Sequence, residues 1–260
     1  MTGQARSFAT IDGVRLAYEV GGDGDPAIVF VHGWCCNRSM FGRQTELFAR
    51  RHRTLSLDLR GHGESAKPPV VAGAYSIDTL ADDTLAAARD ADLARPVIVG
   101  HSLGGLVALA CAARDGVRAA VLINPPLLFD AAVRGWARRS AAAIAGDDSG
   151  AWRKAFAERL MLPTDRAFRS ELEATIGATP APIAAATWEA MAQHDPEAAL
   201  ARTNAPVLLV HSGGEELRHF APLASRNGFA LGVTVGAGHF SHLEVPDQVN
   251  AMIDRFVAML

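Results

Sequence analysis

Apolar positions in this chain fall into short unbroken runs separated by stretches of helical period. Ala27 to Val31, Val97 to Val99, Ala119 to Ile123 and Val207 to Val210 carry no polar face. Runs of that length and β-branched content belong inside a parallel sheet covered on both sides. Arg53 to Leu59 alternates into a further strand, and Ser7 to Ile11 and Val14 to Val20 flank Asp12-Gly13, a two-residue hairpin signal. Between the runs lie helices. Met40 to Arg50 places Phe41, Leu47 and Phe48 on one side, and Ser76 is positioned to cap a helix reaching Asp92, with Asp78 and Asp82 near its positive end.

After Ile123 the alternation stops. Residues 126–203 contain no strand pattern, only Ala/Arg-rich helical stretches punctuated by Gly146, Gly150, Pro163, Pro180 and Pro182. It resumes with Val207 to Val210, a helix near Leu217 to Asn227, a strand near Ala230 to Val235 and a closing helix from Pro246 to Met259. The pattern predicts an α/β fold: a mostly parallel central sheet with helices on both faces and an inserted helical lid. The core is expected to comprise residues 1–125 and 204–260, and the lid residues 126–203.

Composition narrows the class. At 260 residues and 49% hydrophobic content the chain can bury a large core. A net charge of −3 gives no electrostatic case for nucleic acid or an anionic membrane surface. No apolar run approaches the roughly 18 residues that span a bilayer, and the first residues lack the basic start and apolar segment of a signal peptide. The three cysteines, Cys35, Cys36 and Cys111, form neither a disulfide framework nor a zinc spacing. These features together predict a cytoplasmic protein with reduced thiols, no cofactor and no metal.

The chemistry gathers around Gly100-His101-Ser102-Leu103-Gly104-Gly105. A β-branched run ends in Gly-x-Ser-x-Gly and an Ala/Leu-rich helix follows at once, which puts a serine at the apex of a strand–turn–helix. The Leu103 N–H would then stand at the positive end of the new helix, where negative charge is stabilised. Gly236-Ala237-Gly238-His239-Phe240 follows the last predicted strand, at the same carboxyl edge of the sheet. His239 is therefore the candidate base. His242, beside it, reads as a structural or rim residue. The loop after Val210, Ser212-Gly213-Gly214-Glu215-Glu216, should supply a carboxylate to orient the imidazole, with Glu215 the first choice and Glu216 the second. Both also suit a helix start. A second oxyanion donor is expected from His32-Gly33-Trp34, through the Trp34 N–H.

With Val31-His32-Gly33-Trp34, Asp58-Leu59-Arg60-Gly61-His62-Gly63-Glu64-Ser65, the Ser102 motif and Gly236-Ala237-Gly238-His239-Phe240 in this order, the chain resembles the α/β-hydrolase family. The resemblance implies Ser102 as nucleophile, His239 as general base, and Trp34 and Leu103 as oxyanion donors. It implies turn-shaping roles for Arg60 and His62. It also exposes a departure: the family usually has aspartate where Glu215 aligns. Some members carry the acid at the end of the preceding sheet strand, here Asn124, which has no carboxylate.

A serine at the elbow argues against the aspartate-nucleophile relatives, the haloalkane dehalogenases and epoxide hydrolases. Serine with histidine points to acyl transfer to water, that is, hydrolysis of small, fairly hydrophobic esters or lactones. The alternatives are a C–C bond hydrolase of ring-cleavage products or a perhydrolase, and then a ligand-binding module with weak turnover, suggested by the missing aspartate. The lid offers Trp136, Trp152, Phe156, Met161, Phe168, Trp188 and Met191. Most are expected in lid core, with Trp136 and Trp188, together with Trp34 and His101, as candidate substrate contacts. Arg134, Arg138 and Arg139 are either carboxylate partners or a solvated helix face. Cys35 and Cys36 read as pocket-lining residues or as small buried hydrophobes.

Overall fold

Continuous burial along each central strand decides the architecture. In a computed structural model, which describes residues 4–10, 12–127, 130–163, 168–214, 217–220, 222–223, 226 and 228–260, alternate residues of these strands feed two separate cores. Ile28, Phe30, Val97, Val99, Val121 and Val210 point to one face; Val29, Val31, Ile98, Leu122 and Leu209 point to the other. With both faces covered, these strands are apolar along their length, and the polar residues His101 and His211 come only at the carboxyl ends of β5 and β7.

The elements run β1 (Gln4–Ala9), β2 (Arg15–Gly21), β3 (Ile28–Val31), α1 (Gly42–Phe48), β4 (Thr54–Leu57), α2 (Ile77–Asp90), β5 (Val97–His101), α3 (Leu103–Ala112) and β6 (Ala119–Ile123). Helices α4 (Ala131–Ala145), α5 (Ala151–Leu160), α6 (Arg169–Ala178), α7 (Ala181–Gln193) and α8 (Pro196–Arg202) follow. The chain then closes with β7 (Val207–His211), α9 (Leu217–Phe220), β8 (Phe229–Val233), α10 (Ser241–Glu244) and α11 (Pro246–Val257). The eight strands form one sheet in the order β1-β2-β4-β3-β5-β6-β7-β8. Pairing is antiparallel for β1–β2 and β2–β4 and parallel throughout the rest. Phe41 and Phe48, beside and within α1, and Val249, Ile253 and Phe256 of α11 cover one face. The larger core joins the other face to α2, α3 and the helices between β6 and β7.

The mostly parallel sheet matches the expected fold class, and no strand lies between β6 and β7 among the described residues. Ser76 caps α2 as expected, its Oγ accepting from the Thr79 N–H at 3.1 Å. One expectation needs correction. The helix expected from Met40 to Arg50 begins as a 3₁₀ turn, Arg38–Phe41, with Asn37 capping it. Of the helix expected near Leu217 to Asn227, Leu217–Phe220 is helical, and residues 221, 224, 225 and 227 lie outside the described residues.

The Asp58–Ser65 segment is a turn, as the resemblance implied. Arg60 is buried, with Nε and Nη2 on the two oxygens of Asp83 at 2.6 and 2.7 Å. Asp58 accepts from the Arg38 and Glu64 N–H groups, both at 2.8 Å, and pairs with the Arg38 guanidinium. This turn is thus pinned to α2 and to the 3₁₀ turn after β3.

Where β5 meets α3 the backbones nearly touch. A Cβ built on Gly104 would lie 2.1 Å from the Val31 carbonyl oxygen, and one on Gly100 would lie 1.9 Å from the Gly104 oxygen. Both obstacles are backbone, so no rotamer change relieves them. Gly104→Ala is expected to cost about 3 kcal/mol, measured as a lowered urea midpoint. A midpoint equal to wild type would show that the approach is looser than described.

Candidate active site

Ser102 sits between β5 and α3 at φ 52°, ψ −117°, a backbone conformation few non-glycine residues adopt. Its N–H donates to the Ile123 carbonyl at 2.9 Å and its carbonyl accepts from the Gly105 N–H at 2.8 Å, so the turn is held on both sides. The strain thus falls at the residue proposed as nucleophile. Among the described residues nothing accepts from the N–H of Trp34 or of Leu103. The Trp34 donor belongs to the loop after β3. Its neighbour Gly33 approaches closely: a Cβ there would lie 3.4 Å from Ser102 Cβ and 2.8 Å from His101 Nδ1.

His239 lies in the loop after β8 and, with Ser102, lines one cavity of about 740 Å³. That loop is tethered by four residues. The His239 carbonyl accepts from His101 Nε2 and from Asn124 Nδ2, each at 2.9 Å. The His239 N–H donates to the Leu160 carbonyl at the end of α5, at 3.4 Å. The Glu244 carboxylate in α10 accepts from the Gly238 N–H and, at 3.3 Å, from the Phe240 N–H. Because His101 Nε2 donates to a carbonyl, its Nδ1 is the bare nitrogen, and that nitrogen faces Gly33. His101 therefore spans the gap between the loop after β3 and the His239 loop.

Glu215 and Glu216, the two candidates for the acid, lie outside the described residues. The loop leading to them is in place, since Ser212, Gly213 and Gly214 line the cavity beside Asn124 and His211. Trp34, His101, Trp136 and Trp188 line it too, so all four candidate substrate contacts are brought together. Phe156, Met161 and Met191 join them. Five of the seven large apolar residues expected mostly in lid core thus face the cavity. Trp152 and Phe168 do not. Packing explains this: Trp34, Trp136, Trp152, Phe156 and Trp188 form one aromatic cluster whose inner side is the cavity wall, and Trp34 and Trp188 lie 4.8 Å apart. The Trp34 indole donates to the Ala184 carbonyl of α7 at 2.9 Å, and that of Trp188 to the Ala137 carbonyl of α4 at 2.8 Å.

Arg134, Arg138 and Arg139 do not line the cavity; Arg159 does, and nothing in the sequence singled it out. Cys36 lines it and Cys35 does not, although both are buried. Burial pushes both thiols up, Cys36 to about 12, so neither is a nucleophile near neutral pH. The tethers from Asn124 and Glu244 were not anticipated.

The surrounding histidines are neutral. His32 donates from Nδ1 to the Gly33 carbonyl at 2.8 Å and accepts on Nε2 from the Leu59 N–H at 3.0 Å. Burial takes His32 down to about 4, and burial and the neighbouring His32 take His62 down to about 3. His242 is fully buried and structural, at about 3, its ring 4.3 Å from that of His101. His101 is likewise held well below its usual range by burial and by His242 and His239.

Comparison with known proteins supplies the frame for this arrangement. The model of the alpha/beta hydrolase family matches residues 28–252. The chain belongs to that family. The AB hydrolase superfamily protein YisY of Bacillus subtilis is 40% identical over a stretch covering 40% of this chain and 38% of that protein. The non-heme chloroperoxidase CPO-A1 of Kitasatospora aureofaciens is 38% identical over 46% of this chain and 44% of its own. The matches thus span less than half of these curated relatives. A thermophilic esterase from Thermogutta terrifontis superposes with a TM-score of 0.84 at 24% identity, covering 100% of this chain and 99% of its own; at that identity the likeness is one of fold. Among the described residues no cluster fit to bind a metal occurs, and no helix is long and apolar enough to cross a membrane.

The buried histidines make stability pH-dependent. Unfolded, each titrates near 6.5; folded, His32, His62, His101 and His242 titrate lower. Unfolding therefore takes up protons below about pH 6.5, and the contribution, complete above that value, is lost as pH falls toward 3–4. Each group contributes a slope of up to about 1.4 kcal/mol per pH unit. Urea unfolding at pH 5 is expected to give a stability at least about 2 kcal/mol below that at pH 7.5; equal values would mean that these rings are protonated in the fold.

Proposed function

We propose that the protein is a serine hydrolase of carboxylic esters or lactones, acting on small, fairly hydrophobic molecules. One observation carries the reading: a strained serine, flanked by two unbonded backbone N–H groups, opens with a histidine into one cavity. Ser102 Oγ attacks the substrate carbonyl while its proton passes to His239. The oxyanion accepts from the Trp34 and Leu103 N–H groups. The alcohol leaves with the proton from His239, and a water, deprotonated by His239, releases the acid from Ser102. Glu215, or Glu216, holds the imidazole in the tautomer this requires.

The apolar wall from Trp136, Phe156, Met161, Trp188 and Met191 supports an apolar acyl or alcohol part. In this reading residues 126–203 form a lid over a core of 1–125 and 204–260. The ligand is a small molecule, with no nucleic acid or membrane partner and no cofactor, and the protein works in the cytoplasm. The likeness to a chloroperoxidase favours one second reading, transfer of the same acyl group to hydrogen peroxide.

Hydrolysis of short- and medium-chain p-nitrophenyl esters tests both. Ser102→Ala is expected to lose activity by about ten-thousand-fold or more, and one of Glu215→Gln and Glu216→Gln by a comparable factor. Wild-type activity in Ser102→Ala would overturn the assignment. Peracid formation outrunning hydrolysis when peroxide is added would favour the second reading.

A further inference from the structure

Asn124 follows β6 and is 4% exposed. Its side chain is fully engaged. Nδ2 donates toward the His239 carbonyl at 2.9 Å, Ser241 Oγ at 3.1 Å and the Gly238 carbonyl at 3.3 Å. Oδ1 accepts from the Ser212 N–H at 2.9 Å and from Ser212 Oγ at 3.2 Å. The Asn124 N–H donates to the Val210 carbonyl at 2.9 Å. One amide thus joins the loop that bears His239 to the loop that leads to Glu215 and Glu216.

The two ends of that amide are not interchangeable. Carbonyl oxygens cannot donate, so the side facing Gly238 and His239 must be NH₂; a backbone N–H cannot accept, so the side facing Ser212 must be oxygen. A carboxylate would set an anionic oxygen against the His239 carbonyl and leave buried acceptors unpaired. Aspartic acid fits only while protonated. The backbone adds its own demand, since φ is +43° and asparagine is among the few side chains that tolerate this region.

We infer that Asn124 is a positioning residue that sets the His239 loop in register with the acid loop, and that it must be an amide rather than a carboxylate. The inference rests on reading His239 as the base. Without the amide the two loops lose their direct side-chain link and are held only through their strands and their separate tethers, and a displacement of about 1 Å at a reacting group costs on the order of a hundredfold in rate.

The test compares wild type, Asn124→Ala and Asn124→Asp by ester kinetics across pH 5–9, by melting temperature and by NMR titration of the His239 ring. Asn124→Ala is expected to lower kcat about a hundredfold while leaving KM within about threefold, because the apolar wall from Trp136, Phe156, Met161, Trp188 and Met191 is untouched. In wild type kcat/KM should rise as His239 loses its proton and then stay level. In Asn124→Asp it should rise and fall again as the introduced carboxyl ionises. A wild-type kcat in folded Asn124→Ala, or a level high-pH limb in Asn124→Asp, overturns the inference. If Asn124→Ala does not fold, the isosteric Asn124→Asp carries the test. The His239 titration needs no turnover: a curve unchanged in both variants overturns the inference by itself, whereas failure of the hydrolase reading shows in Ser102→Ala.

Discussion

Helix α3 begins with its backbone pressed against two strands at once. Gly104 lies against the Val31 and His32 carbonyls at the end of β3, and Gly100 of β5 lies against Gly104. Glycine at both positions lets the helix start that close, and the closeness forces the turn between them through φ 52° at Ser102. It also fixes the distance from Ser102 to Gly33 in the loop after β3. Geometry at the nucleophile is therefore set by backbone packing in the sheet rather than by side chains around it. The strain is held by the hydrogen bonds of Ser102 to Ile123 and Gly105 and by the sheet itself.

Around that fixed point the loops are held by neutral polar groups, joined at the His239 loop by the Glu244 carboxylate. His32, His101, His242 and Asn124 are buried, and burial keeps the imidazoles uncharged. A neutral ring can donate with one nitrogen and accept with the other, and His32 does so between Gly33 and Leu59. A charged group in the same place would carry a desolvation penalty and would compete with the charges that develop during reaction. Two charged networks, Arg38 with Asp58, Glu19 and Glu64, and Arg60 with Asp83 and Asp12, stand at the turn after β4, where they shape loops.

Much of this was legible from residue order. Continuous apolar runs marked the parallel strands because both sheet faces are covered, and Gly-x-Ser-x-Gly between a strand and a helix marked the elbow. The His239 loop was found because the carboxyl edge of a parallel sheet gathers every loop that follows a strand. What escaped was whatever depends on a partner remote in sequence. Asn124 bonds to residues more than eighty positions away, and no local pattern announces that its amide faces two carbonyls. Arg159 looks like any solvated arginine on a helix, and only the packing of α5 brings it to the cavity. The aromatic residues between β6 and β7 were expected mostly as core; in the fold they serve as core on one side and cavity wall on the other.

The indole of Trp34 carries a further consequence. Its backbone belongs to the loop that faces Ser102, but its ring is buried among the helices between β6 and β7 and donates to the Ala184 carbonyl there. Those helices are contiguous in sequence and look separable, the natural unit for recombination between relatives. They are not separable in energy. A grafted segment without a carbonyl in Ala184's place would strand a buried N–H at a cost of about 1–3 kcal/mol and unseat the loop that carries it. A new specificity on this scaffold is therefore heritable as a block only when the residue after Gly33 is inherited with it.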